Sequence, residues 1–186
     1  VLPSTLNAVY FTNSGTEATE GAMKLAKRYT GRTEIISCYH SYHGSTQGSL
    51  SLNGDEYFKS AYRPLLPDVR QICYNTFEDI QSITKKTAAI FLEPVQAEAG
   101  IIVPEKGYLQ AVRKRCEETG TLLVFDEIQE LPRALSSLKY FAEEAPEYHV
   151  VAAGSLLGVT LHPGTAFPVG KVDFLRLEPL SFEEFC

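Results

Sequence analysis

Closely spaced cysteines are missing from this sequence. Its four, Cys38, Cys73, Cys116 and Cys186, lie far apart with no C-x-x-C pair. Neither a zinc ribbon nor a disulfide framework is indicated, and a reducing, cytoplasmic setting is expected. Also absent is any apolar run as long as a membrane span, or an amino-terminal charged segment followed by an apolar one. Runs of like charge are missing too. With 17 basic and 23 acidic residues the net charge is −6, so neither nucleic acid nor an anionic membrane is an expected partner. No internal repeat or low-complexity tract marks a boundary. The chain opens on Val1 without a methionine, which suggests a piece of a longer reading frame.

What is there suits a globular fold. The chain has 186 residues, 44% of them hydrophobic and 22% charged, enough for one domain with a real core or for two layers of a larger fold. Short β-rich runs alternate with helical patterns. NAVYF (7–11), TEIISCY (33–39), VRQICYN (69–75), TAAIFLE (87–93), TLLVFD (121–126) and YHVVAAGS (148–155) read as strands. Residues 15–29, 105–120 and 134–145 read as helices, the second closed by Gly120 as a C′ glycine. The expected fold class is α/β, an open and mainly parallel sheet with helices on both faces.

Two places carry candidate chemistry. FTNSGTEATEG (11–21) sets Ser14, Gly15 and Thr16 between a strand and the first turn of a helix, where free N–H groups, the dipole and two hydroxyls suit a phosphate or a plain N-cap. VFDEIQELP (124–132) runs an apolar strand into Asp126 and Glu127. Between them, Cys38, His40 and His43 form C-x-H-x-x-H, which fits no firm metal-ligand pattern, and no metal site is expected.

Taken in order, NSGTEA, YHSYHGST (39–46), FLEPVQAEAGIIVP (91–104) and LLVFDEIQ (122–129) resemble the class III aminotransferases, pyridoxal phosphate enzymes of fold type I. The resemblance covers about residues 1–129 and implies a partial large domain there. It implies that Ser14, Gly15 and Thr16 take the cofactor phosphate. Tyr42, followed by His43, would stack on the ring, and Asp126 would pair with its protonated nitrogen. Ile128 would pack on the other ring face and Gln129 would bond the ring hydroxyl. Glu93 and Glu98 would lie on the substrate side. An amino donor, a 2-oxo acid and a homodimer are the implied partners. The family's Schiff-base lysine has no counterpart in a matching context: Lys139 and Lys171 read as surface residues. Turnover by this chain alone is not expected.

From residue 122 onward the sequence also resembles prokaryotic AAA-like ATPases. That likeness implies a Walker B strand with Asp126 and Glu127 serving magnesium and Mg-ATP, and Ser155 as a polar sensor. It implies a P-loop-type βαβ segment over 130–186, and a chimera joined at FDEIQ. The phosphate loop such a site needs, G-x-x-x-x-G-K-[ST], is absent; GTAFPVGKV (164–172) has one residue too many and Val172 where the hydroxyl belongs.

Overall fold

A computed structural model describes residues 12–98, 100–127 and 151–152. The expected strand at 7–11, the helix at 134–145 and the continuation over 153–186 lie outside the described residues, as do Ile128, Gln129, Lys139, Ser155 and Lys171.

Five strands form one sheet: β1 (Glu34–Cys38), β2 (Val69–Ile72), β3 (Thr87–Leu92), β4 (Leu122–Phe125) and β5 (Val151–Ala152). Their order is β2-β1-β3-β4-β5, and all four pairings are parallel. The apolar run TAAIFL becomes β3, in the middle, with every residue buried, as a strand covered on both faces must be. β5 lies within the strand expected at 148–155 and pairs with β4.

Alternation along the strands feeds two cores. Ile36, Cys38, Ile90, Leu92 and Leu123 pack with Tyr108, Val112 and Cys116 of helix α4 (Tyr108–Thr119). Ile35, Ala89, Phe91 and Val124 pack on the opposite face with Met23 and Ala26 of helix α1 (Gly15–Thr30). Each fully buried Ile or Phe among them contributes roughly 1.5–3 kcal/mol. Helices therefore cover both faces, as expected.

Gly120 closes its helix as expected, and Gly31, which the sequence reading did not single out, closes the other in the same way. Gly31 and Gly120 sit in left-handed conformations at φ 68° and 64° and return their N–H groups to the last turn. Two short helices went unforeseen: α2 (Gln47–Leu52) and α3 (Glu56–Lys59). They occupy the crossover between β1 and β2, where sequence periodicity is too short to register.

Candidate active site

Parallel strands deliver their carboxyl ends to one edge of a sheet, and ligands of open α/β folds bind beyond that edge. Here β1 leads into Tyr42 and His43, β3 into Glu93, and β4 into Asp126.

Asp126 is 7% exposed. Its Oδ2 lies 3.0 Å from His43 Nδ1, across 83 residues of sequence, and its Oδ1 accepts the Glu127 N–H at 3.0 Å. An ionised carboxylate only accepts, so it selects the His43 tautomer with hydrogen on Nδ1. His43 Nε2 is then a buried nitrogen with no partner. The imidazole also meets Phe91 edge-on, with centroids 6.0 Å apart. Each carboxylate oxygen has two lone pairs, so Asp126 retains capacity for a further donor. Glu127 follows at φ 53°, a left-handed conformation costly for a residue with a side chain.

Glu93 is 1% exposed, and its Oε2 has no partner. Burial, followed by the charges of Asp126, Glu127 and Glu98, pushes its carboxyl up to about 8, although the Tyr42 backbone works the other way. It therefore holds its proton at neutral pH. Glu98 parts company with it. A bridge between Gln96 and Ile102 closes a small hairpin, and Glu98 is exposed within it. Gln96 is wholly buried; its Nε2 donates to the Tyr39 carbonyl at 2.8 Å while its Oε1 has no partner. Sequence reading passed over Gln96, although a buried amide in EPVQ beside a strand end was its available signal.

Tyr42 is half-buried, with its ring edge-on to Phe58 at 5.6 Å and 72°. At the start of α1, the hydroxyls are engaged elsewhere. Ser14 is the N-cap, its Oγ accepting the Glu17 N–H at 3.3 Å. Thr16 Oγ1 accepts the Ser45 N–H at 3.0 Å and lies 3.0 Å from Ser49 Oγ. What this helix end has left for an anion is the backbone N–H of Gly15 and Thr16, which have no acceptor within the helix.

The described residues at this edge assemble no metal centre. Cys38 is buried in the α4-side core with its thiol pushed up by burial, His40 is exposed, and His43 bonds Asp126. Among the described residues no group of three or more His, Cys, Asp or Glu could hold a metal ion. None of the helices among them is long and apolar enough to cross a membrane.

A helix amino end with free N–H groups and a buried carboxylate at the carboxyl edge of a parallel sheet are the features of this site, and comparison with known proteins supplies the family. The family model described as aminotransferase class-III matches residues 1–130. The chain belongs to the class III aminotransferase family. It is similar to the acetylornithine aminotransferase of Lactiplantibacillus plantarum, with 46% identity over 121 residues, 65% of this chain and 31% of the relative. It is 40% identical over 129 residues to the [LysW]-aminoadipate semialdehyde/glutamate semialdehyde transaminase of Sulfolobus acidocaldarius, covering 69% of this chain and 33% of the relative. The acetylornithine aminotransferase of Clostridium acetobutylicum aligns over 177 residues at 38% identity, 91% of this chain and 44% of the relative. That last alignment runs past residue 130. Among solved structures, the ornithine aminotransferase of Toxoplasma gondii ME49 superposes with a TM-score of 0.62 at 28% identity, over 68% of this chain and 33% of that one. The chain thus spans from about a third to under half the length of these relatives.

Proposed function

We propose that this chain is the cofactor-holding core of a class III aminotransferase, binding pyridoxal 5′-phosphate for amino transfer between an amine or amino acid and a 2-oxo acid. A Toxoplasma gondii ornithine aminotransferase to which it is similar carries the same cofactor. The observation that carries the reading is the Asp126–His43 pair at 3.0 Å, buried at the carboxyl edge.

The residues present fit the group. Gly15 and Thr16 would take the phosphate through backbone N–H, with Ser14 closing the helix end beside it. Tyr42 would cover one ring face, and Ile128 and Gln129 keep the roles the resemblance gives them. When bound, the cofactor supplies an electron sink for charge at the substrate carbon. Asp126 would keep the ring nitrogen protonated, because a carboxylate near it favours the charged form. His43 holds that carboxylate in place through its Nδ1 contact at 3.0 Å. Glu93, neutral at pH 7, offers a hydrogen-bond donor beside this site, and Glu98 is assigned to its substrate side. This reading gives the chain cofactor holding and no turnover of its own. A homodimer is the proposed assembly.

For residues 130–186, the alignment that runs past residue 130 favours continued aminotransferase character. The ATPase-like continuation joined at FDEIQ has only the Asp126–Glu127 pair behind it, and one Asp126 oxygen already serves His43.

Titration with pyridoxal 5′-phosphate, followed by absorbance, tests the reading. Saturable binding is expected, weakened about ten- to a hundredfold in Asp126→Ala, the size of one charged hydrogen bond. Binding indifferent to Asp126 would overturn it. Magnesium-dependent stabilisation by ATP without any effect of pyridoxal phosphate would favour the ATPase reading.

A further inference from the structure

Helix α1 presents more than its amino end. Two of its side chains one turn apart, Thr16 and Glu20, reach the segment that leads from β1 into α2. Glu20 Oε1 accepts from the Thr46 hydroxyl at 2.6 Å and from the Ser49 N–H at 2.9 Å. Ser49 is the third residue of α2, whose N–H an N-cap side chain ordinarily takes. Yet Thr46, the N-cap, makes no side-chain cap bond. The cap of this six-residue helix therefore comes from another helix. A helix so short depends on such outside support.

The fit around the carboxylate is close. A Cβ at Gly48 would overlap the Glu20 carboxylate, and one at Gly44 would overlap Thr16. On the other side of the same segment, wholly buried Asn53 accepts the His43 N–H at 2.7 Å and donates to the Gly44 carbonyl at 2.9 Å. Residues 43–49 are gripped from α1 at one end and from Asn53 at the other, and Tyr42 and His43 ride on that grip.

We infer that Glu20 is a positioning residue of the cofactor pocket: by capping α2 from α1, it fixes the Tyr42–His43 segment relative to the phosphate-binding end of α1. The inference rests on the pyridoxal phosphate reading for what is positioned; the cap itself does not. Glu20 acts through the loop and touches no proposed ligand. A carboxylate accepting from backbone N–H is a charge-assisted bond, so its loss loosens the loop without removing any group that faces the cofactor.

The test compares the 186-residue chain with Glu20→Ala, Glu20→Gln and Gly48→Ala variants. Amide hydrogen exchange over residues 42–52 is read without ligand, and pyridoxal 5′-phosphate affinity is read with inorganic phosphate as competitor. Glu20→Ala is expected to speed exchange at Ser49 about tenfold and to weaken cofactor binding by about the same factor. Competition by inorganic phosphate should stay within about twofold, because the phosphate uses the α1 backbone alone. Glu20→Gln keeps the Oε1 acceptor and should recover most of both losses. Gly48→Ala, which pushes the carboxylate aside, should resemble Glu20→Ala. Unchanged exchange at Ser49, or faster exchange with unaltered cofactor affinity, overturns the inference. Parallel loss of phosphate and cofactor binding would mean general unfolding and overturns it too. A wild-type chain that never binds the cofactor saturably, while Glu20→Ala still loosens the loop, would sink the pocket reading and leave only the cap.

Discussion

The two edges of the sheet are built to different standards. At the amino edge, Arg32 donates through Nη1 to the carbonyls of Thr87, Thr119 and Gly120 at 2.9–3.1 Å. Beside it Glu34 takes the Thr87 hydroxyl at 2.6 Å and the Arg70 guanidinium at 2.9 Å. At the carboxyl edge, three buried polar atoms, His43 Nε2, Glu93 Oε2 and Gln96 Oε1, have no partner. Natural cores leave few such groups, since each carries its desolvation penalty. The amino edge closes its hydrogen bonds on itself, and the carboxyl edge leaves these three atoms unpaired. On the proposed reading, stability and cofactor binding are carried at opposite ends of the same strands.

Arg32→Ala should break this contrast most visibly. Losing one cation that ties the end of α4 to the starts of β3 and β4 is expected to cost about 2–4 kcal/mol in urea denaturation. Cofactor affinity of the remaining folded chain should move by less than about threefold, since the distant edge is independent. Affinity falling as far as stability would show the two edges to be one unit.

Glu93→Gln sharpens the comparison from the other side. A carboxyl whose pKa is raised by burial binds its proton more tightly in the folded than in the unfolded chain. Its contribution to stability is complete below the ordinary value of 4.5 and is lost as pH rises through about 8. The glutamine variant cannot ionise and escapes that loss. Between pH 4.5 and 8.5 it should gain about 1–3 kcal/mol on the parent chain. Identical pH slopes in thermal melts would mean that Glu93 is ionised and satisfied.

Ser14→Ala should have the smallest effect, about 0.5–1 kcal/mol from the lost N-cap. Cofactor binding should weaken slightly with it, because the fraying turn carries the Gly15 and Thr16 N–H groups. A stability loss with no change in affinity would place the phosphate elsewhere.

The legible part of this molecule is the part governed by local pattern. TAAIFL announced a strand, and Gly120 announced a helix end, because neither depends on distant residues. FDEIQ announced an acid at a strand end. Its pairing with His43 could not be read, since 83 residues separate the two. Helix α2 was equally hidden. QGSLSL has no helical stripe, and its cap comes from Glu20, on a helix nearly 30 residues earlier. The hydroxyls of Ser14 and Thr16 were legible as polar groups near a helix start, but only packing showed that both are engaged by the protein itself.

Sequence by itself determined the family, the alternation that makes a parallel sheet, and the residue types available at its carboxyl edge. These follow from side-chain periodicity and from ordered short motifs. Tertiary structure alone decided which groups meet. It set His43 on Asp126, left Glu93 dry and proton-holding while Glu98 reached solvent, and gave α2 its cap from α1. Burial and long-range hydrogen bonds depend on how strands and helices close over one another, and no local stretch of chain contains that information.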